Sequence, residues 1–318
     1  MRFITGCAIA ALAGLACEND ADRTQKPTEQ PVQPDEPVRP GPAATGLDAT
    51  AIQKAAGTET TVTGDGVVRI GWGRSDVPVK IDGAAFPPAA GLGSWAAFAA
   101  VEGGAMVMGD TVVFQDEITP AIDAAFAAGF EVTALHNHFV FDDPPVFFMH
   151  IGGHGDPVKL AAGVKSMWDA IRAVRKANRT PAVAFGGRAV KPGKLDAAGL
   201  AAIVGHEAES SPGVVVKFVV ERKAKMHGRE FGGSMGLTTW AAFSGDTTLA
   251  SIDGDFAMTA AEVQPVLRAL RAADIHVVAL HNHMIGEDPA YFFVHFWGKG
   301  RADELARGFR SVLDAQAK

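Results

Sequence analysis

The chain has 318 residues, 47% hydrophobic and 20% charged, which is long enough for two packed domains and unlike a disordered or fibrous composition. Its formal net charge is −7 and it has no run of Lys or Arg, so nucleic acid is not an expected partner. The two cysteines, Cys7 and Cys17, both lie in the first twenty residues, which excludes disulfides and thiolate metal sites from the folded part.

The N-terminal stretch MRFITGCAIAALAGLACEND carries one positive charge, at Arg2, then an apolar run from Phe3 to Leu15, then small residues before Cys17. The run is too short to span a bilayer and has the layout of a secretory signal. Gly14-Leu15-Ala16-Cys17 resembles the lipobox of bacterial lipoproteins, with Gly14 where a large aliphatic residue is usual. That resemblance implies an exported protein, lipid-anchored at Cys17 in a bacterial cell envelope. An ordinary signal peptide cleaved nearby is the alternative. Residues 18–44 are rich in Pro, Gln, Thr and acidic side chains and almost devoid of apolar ones. Such a segment cannot bury enough surface to offset its ordering entropy, so a disordered tether is expected there.

The body is written twice. LHNHFVFDDPPVFFMH at 135–150 returns as LHNHMIGEDPAYFFVH at 280–295, an offset of 145 residues. At that offset Trp95-Ala96-Ala97-Phe98 falls on Trp240-Ala241-Ala242-Phe243, Gly109-Asp110 on Gly254-Asp255, Glu117 on Glu262 and Pro120 on Pro265, without a gap from about 83 to 170. Farther upstream LDATAIQKAAG at Leu47 matches LDAAGLAAIVG at Leu195 with an offset of 148. Two tandem repeat domains follow, 45–176 and 194–318, joined by a Gly/Pro/Lys-containing linker at 177–193.

Each repeat has the same predicted elements. A short helix starts at the Leu-Asp pair and stops at Gly57 or Gly205, both suited to a left-handed C-cap. Strands are expected at 67–70 and 77–81 in the first repeat and 214–220 in the second, then a hairpin from Trp95 to Phe114. A helix near 119–128 matches one near 259–272, where Thr259 and Glu262 have the spacing of a capping box. After the histidine phrase, closing helices begin near Pro157 and Ala302. Helices mixed with hairpin-linked strands predict an α+β fold, each repeat a mainly antiparallel sheet with flanking helices, the two related by a pseudo-two-fold axis.

In a strand, His136 and His138 share one face while Asn137 points away. Asp142-Asp143-Pro144-Pro145 is turn chemistry, so a hairpin symmetric about Pro144 places His150 opposite His138, with Cβ atoms about 5 Å apart. The same construction about Pro289 places His295 opposite His283. His136, His138 and His150, and again His281, His283 and His295, are therefore candidate metal ligands. Zinc suits such a set, with a fourth position open if the site is catalytic; iron, copper and nickel accept the same nitrogens. Asp143, Asp288, Asn137 and Asn282 occupy matched positions and are candidates to orient the ligands or to cap the turns. The competing reading is a hydrogen-bonded polar seam copied along with the rest of the repeat. Gly232-Gly233-Ser234-Met235-Gly236 fits the serine-hydrolase G-x-S-x-G pattern, but a strand-like run follows it where the elbow needs a helix.

The paired ALHNH…DxP…FFxH phrases, Gly-Asp ahead of Glu-x-x-Pro, and Ser234-Met235-Gly236 resemble LppY/LpqO-like bacterial lipoproteins, a family defined by a domain of unknown function. The likeness runs from Leu47 to the C-terminus. It implies a secreted or anchored protein with two such domains, and it brings no catalytic residues. The expectation is a metal-binding envelope lipoprotein, with metal-dependent hydrolysis as the activity if it is an enzyme; the alternative is a non-catalytic module for a small-molecule or cell-envelope ligand, its histidines structural.

Overall fold

A computed structural model describes residues 46–211 and 214–317. The expected signal peptide, Cys17 and the tether lie outside the described residues. The first repeat runs α1 (Ala49–Ala56), β1 (Thr60–Val62), β2 (Val68–Gly73), β3 (Val79–Ile81), β4 (Ala84–Phe86), β5 (Gly93–Val101), β6 (Gly104–Phe114), α2 (Ile118–Ala127), β7 (Glu131–Asn137), β8 (Asp142–Asp143), β9 (Val146–Gly155) and α3 (Pro157–Ala177). The second runs α4 (Ala197–Val204), β10 (Glu209–Ser211), β11 (Val215–Glu221), β12 (Ala224–Met226), β13 (Arg229–Phe231), β14 (Thr238–Gly245), β15 (Ala250–Met258), α5 (Ala260–Ala272), β16 (His276–His281), β17 (Phe292–Gly300) and α6 (Ala302–Gln316). The fold is α+β, as the pattern of elements predicts.

Local chemistry explains the helix boundaries. Asp48 and Asp196 cap α1 and α4, each carboxylate accepting from a backbone N–H at 3.0 Å. Gly57 and Gly205 end them at φ 66° and 74°, a region that costs a side chain dearly and glycine little. The Thr259–Glu262 capping box forms on α5, which runs on through Pro265. No helix among the described residues is long and apolar enough to cross a membrane.

Twelve strands form one antiparallel sheet in the order β1-β2-β5-β6-β9-β7-β16-β17-β15-β14-β11-β10. Each repeat supplies six strands in mirrored order, and the halves join where Leu135 of β7 pairs with Leu280 of β16. These leucines are repeat counterparts, so the pseudo-two-fold axis passes between them. Instead of two separate sheets, the repeats share one.

The six α-helices of the described residues pack on one face. Trp168, Met167 and Phe309 bury there against Phe98, Met149, Ile151, Phe256 and Phe296 in a core that continues across both halves. Each of these large side chains contributes roughly 1.5–3 kcal/mol by leaving water. The opposite face is covered only in patches. The small β4-β3-β8 sheet, with Val77 just ahead of it, packs Val79 onto Val112, Phe114 and Phe148; in the second repeat Ala224 and Leu237 pack with Phe293 and Tyr291. Both histidine phrases emerge beside these patches.

Candidate metal centre

β7 ends at Asn137, so His138 lies beyond the strand. The register also differs from a hairpin symmetric about Pro144: His150 pairs with Ala134 and His136 with Phe148. The second repeat repeats this, with His295 opposite Ala279 and His281 opposite Phe293. His138 and His283 are thus not cross-strand partners of His150 and His295, and they reach the site by another route. Asn137 donates from its side-chain amide to Phe139 O at 2.8 Å, and Asn282 to Met284 O at 3.0 Å. At the far side of each loop, Asp142 accepts from Val146 N–H at 2.6 Å and Glu287 from Tyr291 N–H at 2.8 Å. These side-chain bonds fold the chain back over the sheet. The His138 ring then lies flat on Phe148, 3.3 Å between centroids and 6° between planes; His283 lies on Phe293 at 3.5 Å and 7°. A buried phenyl ring therefore does the positioning that cross-strand pairing was expected to do.

The three imidazoles of each repeat converge all the same. His136 stands 5.1 Å from His138 and 5.0 Å from His150, centroid to centroid; in the second repeat the separations are 5.0 and 4.9 Å. In both groups one nitrogen per ring lies within 4.8 Å of the others. Asp143 and Asp288 do not join them. Both are exposed, and their backbones pair with Lys80 and Lys225. Asn137 and Asn282 serve the turns.

A carboxylate from outside the histidine phrases stands beside each set. β6 lies beside β9 with Asp110 opposite His150, and β15 beside β17 with Asp255 opposite His295. Asp255 Oδ2 is 3.4 Å from His283 Nε2 and 4.0 Å from His295 Nε2, and its carboxylate joins the second histidine group. Asp110 Oδ1 is 3.8 Å from His150 Nε2, so the first group is the looser one. The signal was present in the repeat: Gly-Asp recurs at the same offset as the histidines. Its glycine is needed because a Cβ at Gly254 would overlap the Trp240 carbonyl oxygen and the Phe296 ring.

Burial and mutual proximity shift the charge states of both groups. Burial pushes the Asp255 carboxyl up to about 6, against the pull of His295. Asp110 is also raised by burial, opposed by His150, His138 and His136. His138 is held below its ordinary value by burial, against the upward pull of Asp110 and with a smaller contribution from His136 and His150; His281 and His283 are lowered by burial and by neighbouring rings. Neutral imidazoles have free lone pairs, and His281 Nε2 and His283 Nε2 face one another at 3.1 Å. His295 Nδ1 donates to Gly254 O at 3.2 Å, which leaves Nε2 as its ligand atom. Asp110 Oδ1, Asp255 Oδ1 and His281 Nδ1 are buried with no hydrogen-bond partner. A cation among the three rings would give the carboxylates the counter-charge they lack. His150, His283 and His295 keep 32–43% of their side-chain surface exposed, so one side of each site stays open to water or substrate.

The other motifs resolve without chemistry. Gly233–Met235 is a single 3₁₀ turn between β13 and β14, matched by Pro88–Ala90 in the first repeat, so Ser234 is on no nucleophile elbow. Phe148 and Phe293 are buried core residues as well as ring platforms.

The family whose description is Domain of Unknown Function (DUF1259) matches residues 50–170 and 198–315, one match per repeat. The chain belongs to this family. None of the curated proteins matches it. Among solved structures, the fused permuted hexameric shell protein MSM0275 from the RMM microcompartment is 17% identical, covering 67% of this chain and 85% of that one, with a TM-score of 0.19. The trimeric bacterial microcompartment shell protein PduB is 9% identical over 80% and 89%, TM-score 0.19. EtuB from Clostridium kluyveri is 10% identical over 80% and 89%, also with a TM-score of 0.19. Overlaps this slight carry no argument about the DUF1259 fold or its function.

Proposed function

We propose that the protein binds a transition-metal ion in each repeat and uses it for hydrolytic chemistry. The ligands are His136, His138 and His150, with Asp110 beside them, and His281, His283 and His295, with Asp255 among them. The observation that carries this reading is a buried carboxylate without a hydrogen-bond partner on one oxygen, placed beside three converging imidazoles, in both repeats. Three nitrogens suit zinc first, with the carboxylate beside a fourth position that water can take, and iron, copper and nickel are alternatives. An ion there supplies a Lewis acid and lowers the pKa of water toward neutrality. The chain's own part is to hold the rings: Phe148 and Phe293 fix one, and the Gly254 carbonyl sets the tautomer of another. The lipobox-like Cys17 and the likeness to LppY/LpqO-type lipoproteins support an exported protein anchored in a bacterial envelope, acting on a small-molecule or cell-envelope ligand. The deciding experiment is metal analysis of protein purified without a polyhistidine tag, beside His138→Ala/His283→Ala. The expected result is about two ions per chain in the parent and loss of both in the variant, with a chelator lowering the parent's melting temperature. A folded parent that stays metal-free after growth in zinc-supplemented medium overturns the reading.

A further inference from the structure

The two-fold relates the cleft between α5 and β7 to the cleft between α2 and β16, and the chain treats them differently. At the first, Gln264 reaches from α5 to Val132, accepting from its N–H at 3.2 Å and donating to its carbonyl at 2.8 Å. Arg268 donates to Phe130 O at 2.9 Å, so that cleft is sealed. At the second cleft the counterpart of Gln264 is Thr119, whose shorter side chain stops at His276 Nδ1, 2.8 Å away. The counterpart of Arg268 is Asp123, which is paired with Arg271. A cavity of about 630 Å³ opens there, lined by Ile118, Thr119, Phe147, Val278, His276 and Trp297 and bordered by the linker at Phe185.

Two further departures from the repeat furnish this cavity: Trp297 stands where the first repeat has Gly152, and His276 where it has Glu131. Phe185 lies parallel to the His276 ring at 4.1 Å and to Trp297 at 4.9 Å, yet stays 52% exposed. With Nδ1 engaged by Thr119, His276 has one ring nitrogen left for hydrogen bonding.

We propose that this cavity binds a small planar aromatic molecule carrying one hydrogen-bonding group. Its volume is within the range of small-molecule sites, its walls are apolar and aromatic, and its polar groups are few and local. Both repeats and the linker contribute walls, so the site exists only in the tandem protein. It does not rest on the metal reading.

The test is a fluorescence titration of the full chain with N-phenyl-1-naphthylamine, a neutral aromatic amine. The parent should bind one equivalent saturably. Phe185→Ala removes a stacking surface from an exposed strap and should weaken binding about tenfold with parent-like melting. Thr119→Gln should restore the seal seen at Gln264 and abolish binding. Val62→Ser, an exposed apolar residue far from the linker, should bind as the parent does. Absence of saturable binding in the parent, or parent-like binding by either Phe185→Ala or Thr119→Gln, overturns the proposal.

Discussion

Leu135 pairs across the centre of the sheet with Leu280, the residue that occupies its own place in the second repeat. One contact between equivalent positions turns two six-stranded halves into one sheet. Both leucines are buried in the core that runs beneath it. Leu135→Ala should therefore cost about 2–5 kcal/mol and loosen both repeats together. Urea unfolding followed by circular dichroism and by tryptophan fluorescence should give one coincident transition, shifted to lower urea. Separate transitions for the two halves would contradict the shared core.

The stack of His283 on Phe293 makes a second prediction. Phe293→Leu keeps an apolar core residue but removes the flat platform. Zinc affinity, read by competition with a chromophoric chelator, should fall about 10–100-fold, as for other groups that orient a ligand without touching the metal. Phe148→Leu should act likewise on the first centre. Unchanged affinity in both variants would mean the stacks only fill space.

In metal-free protein Asp255 makes stability depend on pH. Its carboxyl is raised from 3.8 to about 6 by burial, so between those values the folded state holds a proton that the unfolded chain releases. Stability from this group is therefore lost as pH rises through that window. Asp255→Asn should be more stable than the parent at pH 7, by about 1–3 kcal/mol, and close to it at pH 4. His281 and His283, lowered from 6.5 by burial, act oppositely: their contribution is lost as pH falls below the unfolded value. Equal pH profiles for parent and Asp255→Asn in chelator would refute the assignment.

Arg74 and Glu117 are both fully buried and joined by two bonds of 2.8 and 2.9 Å, with Glu117 also accepting from Phe114 N–H. Glu117 also pairs with Arg175, so removing it takes a buried carboxylate from two buried guanidinium groups and leaves Arg74 only the more exposed Asp76; Glu117→Ala should cost about 3–5 kcal/mol. The matched pair Arg222–Glu262 is more exposed, at 21 and 18%, and Glu262→Ala should cost less. Thermal melts of the two variants side by side check the order.

Features set by neighbours along the chain are legible in the residues alone. Its internal repetition showed the duplication, Asp48 and Gly57 marked the ends of a helix, and two HNH phrases located the imidazoles. These features act within a few residues, through capping bonds and backbone preference. The tertiary structure decided what depends on segments that meet across strands. Asp110 becomes a ligand candidate only because β6 lies beside β9, forty residues later. His138 reaches the site by resting on Phe148, since a loop closed by Asn137 and Asp142 shifts the register that turn residues alone suggested. The cavity beside Thr119 depends on departures from the repeat at Thr119, Asp123, His276 and Trp297 and on where the linker lies. Packing of distant segments sets all three: the repeat marks Asp110 and Asp255 as matched positions, but only the strand order brings them to the imidazoles.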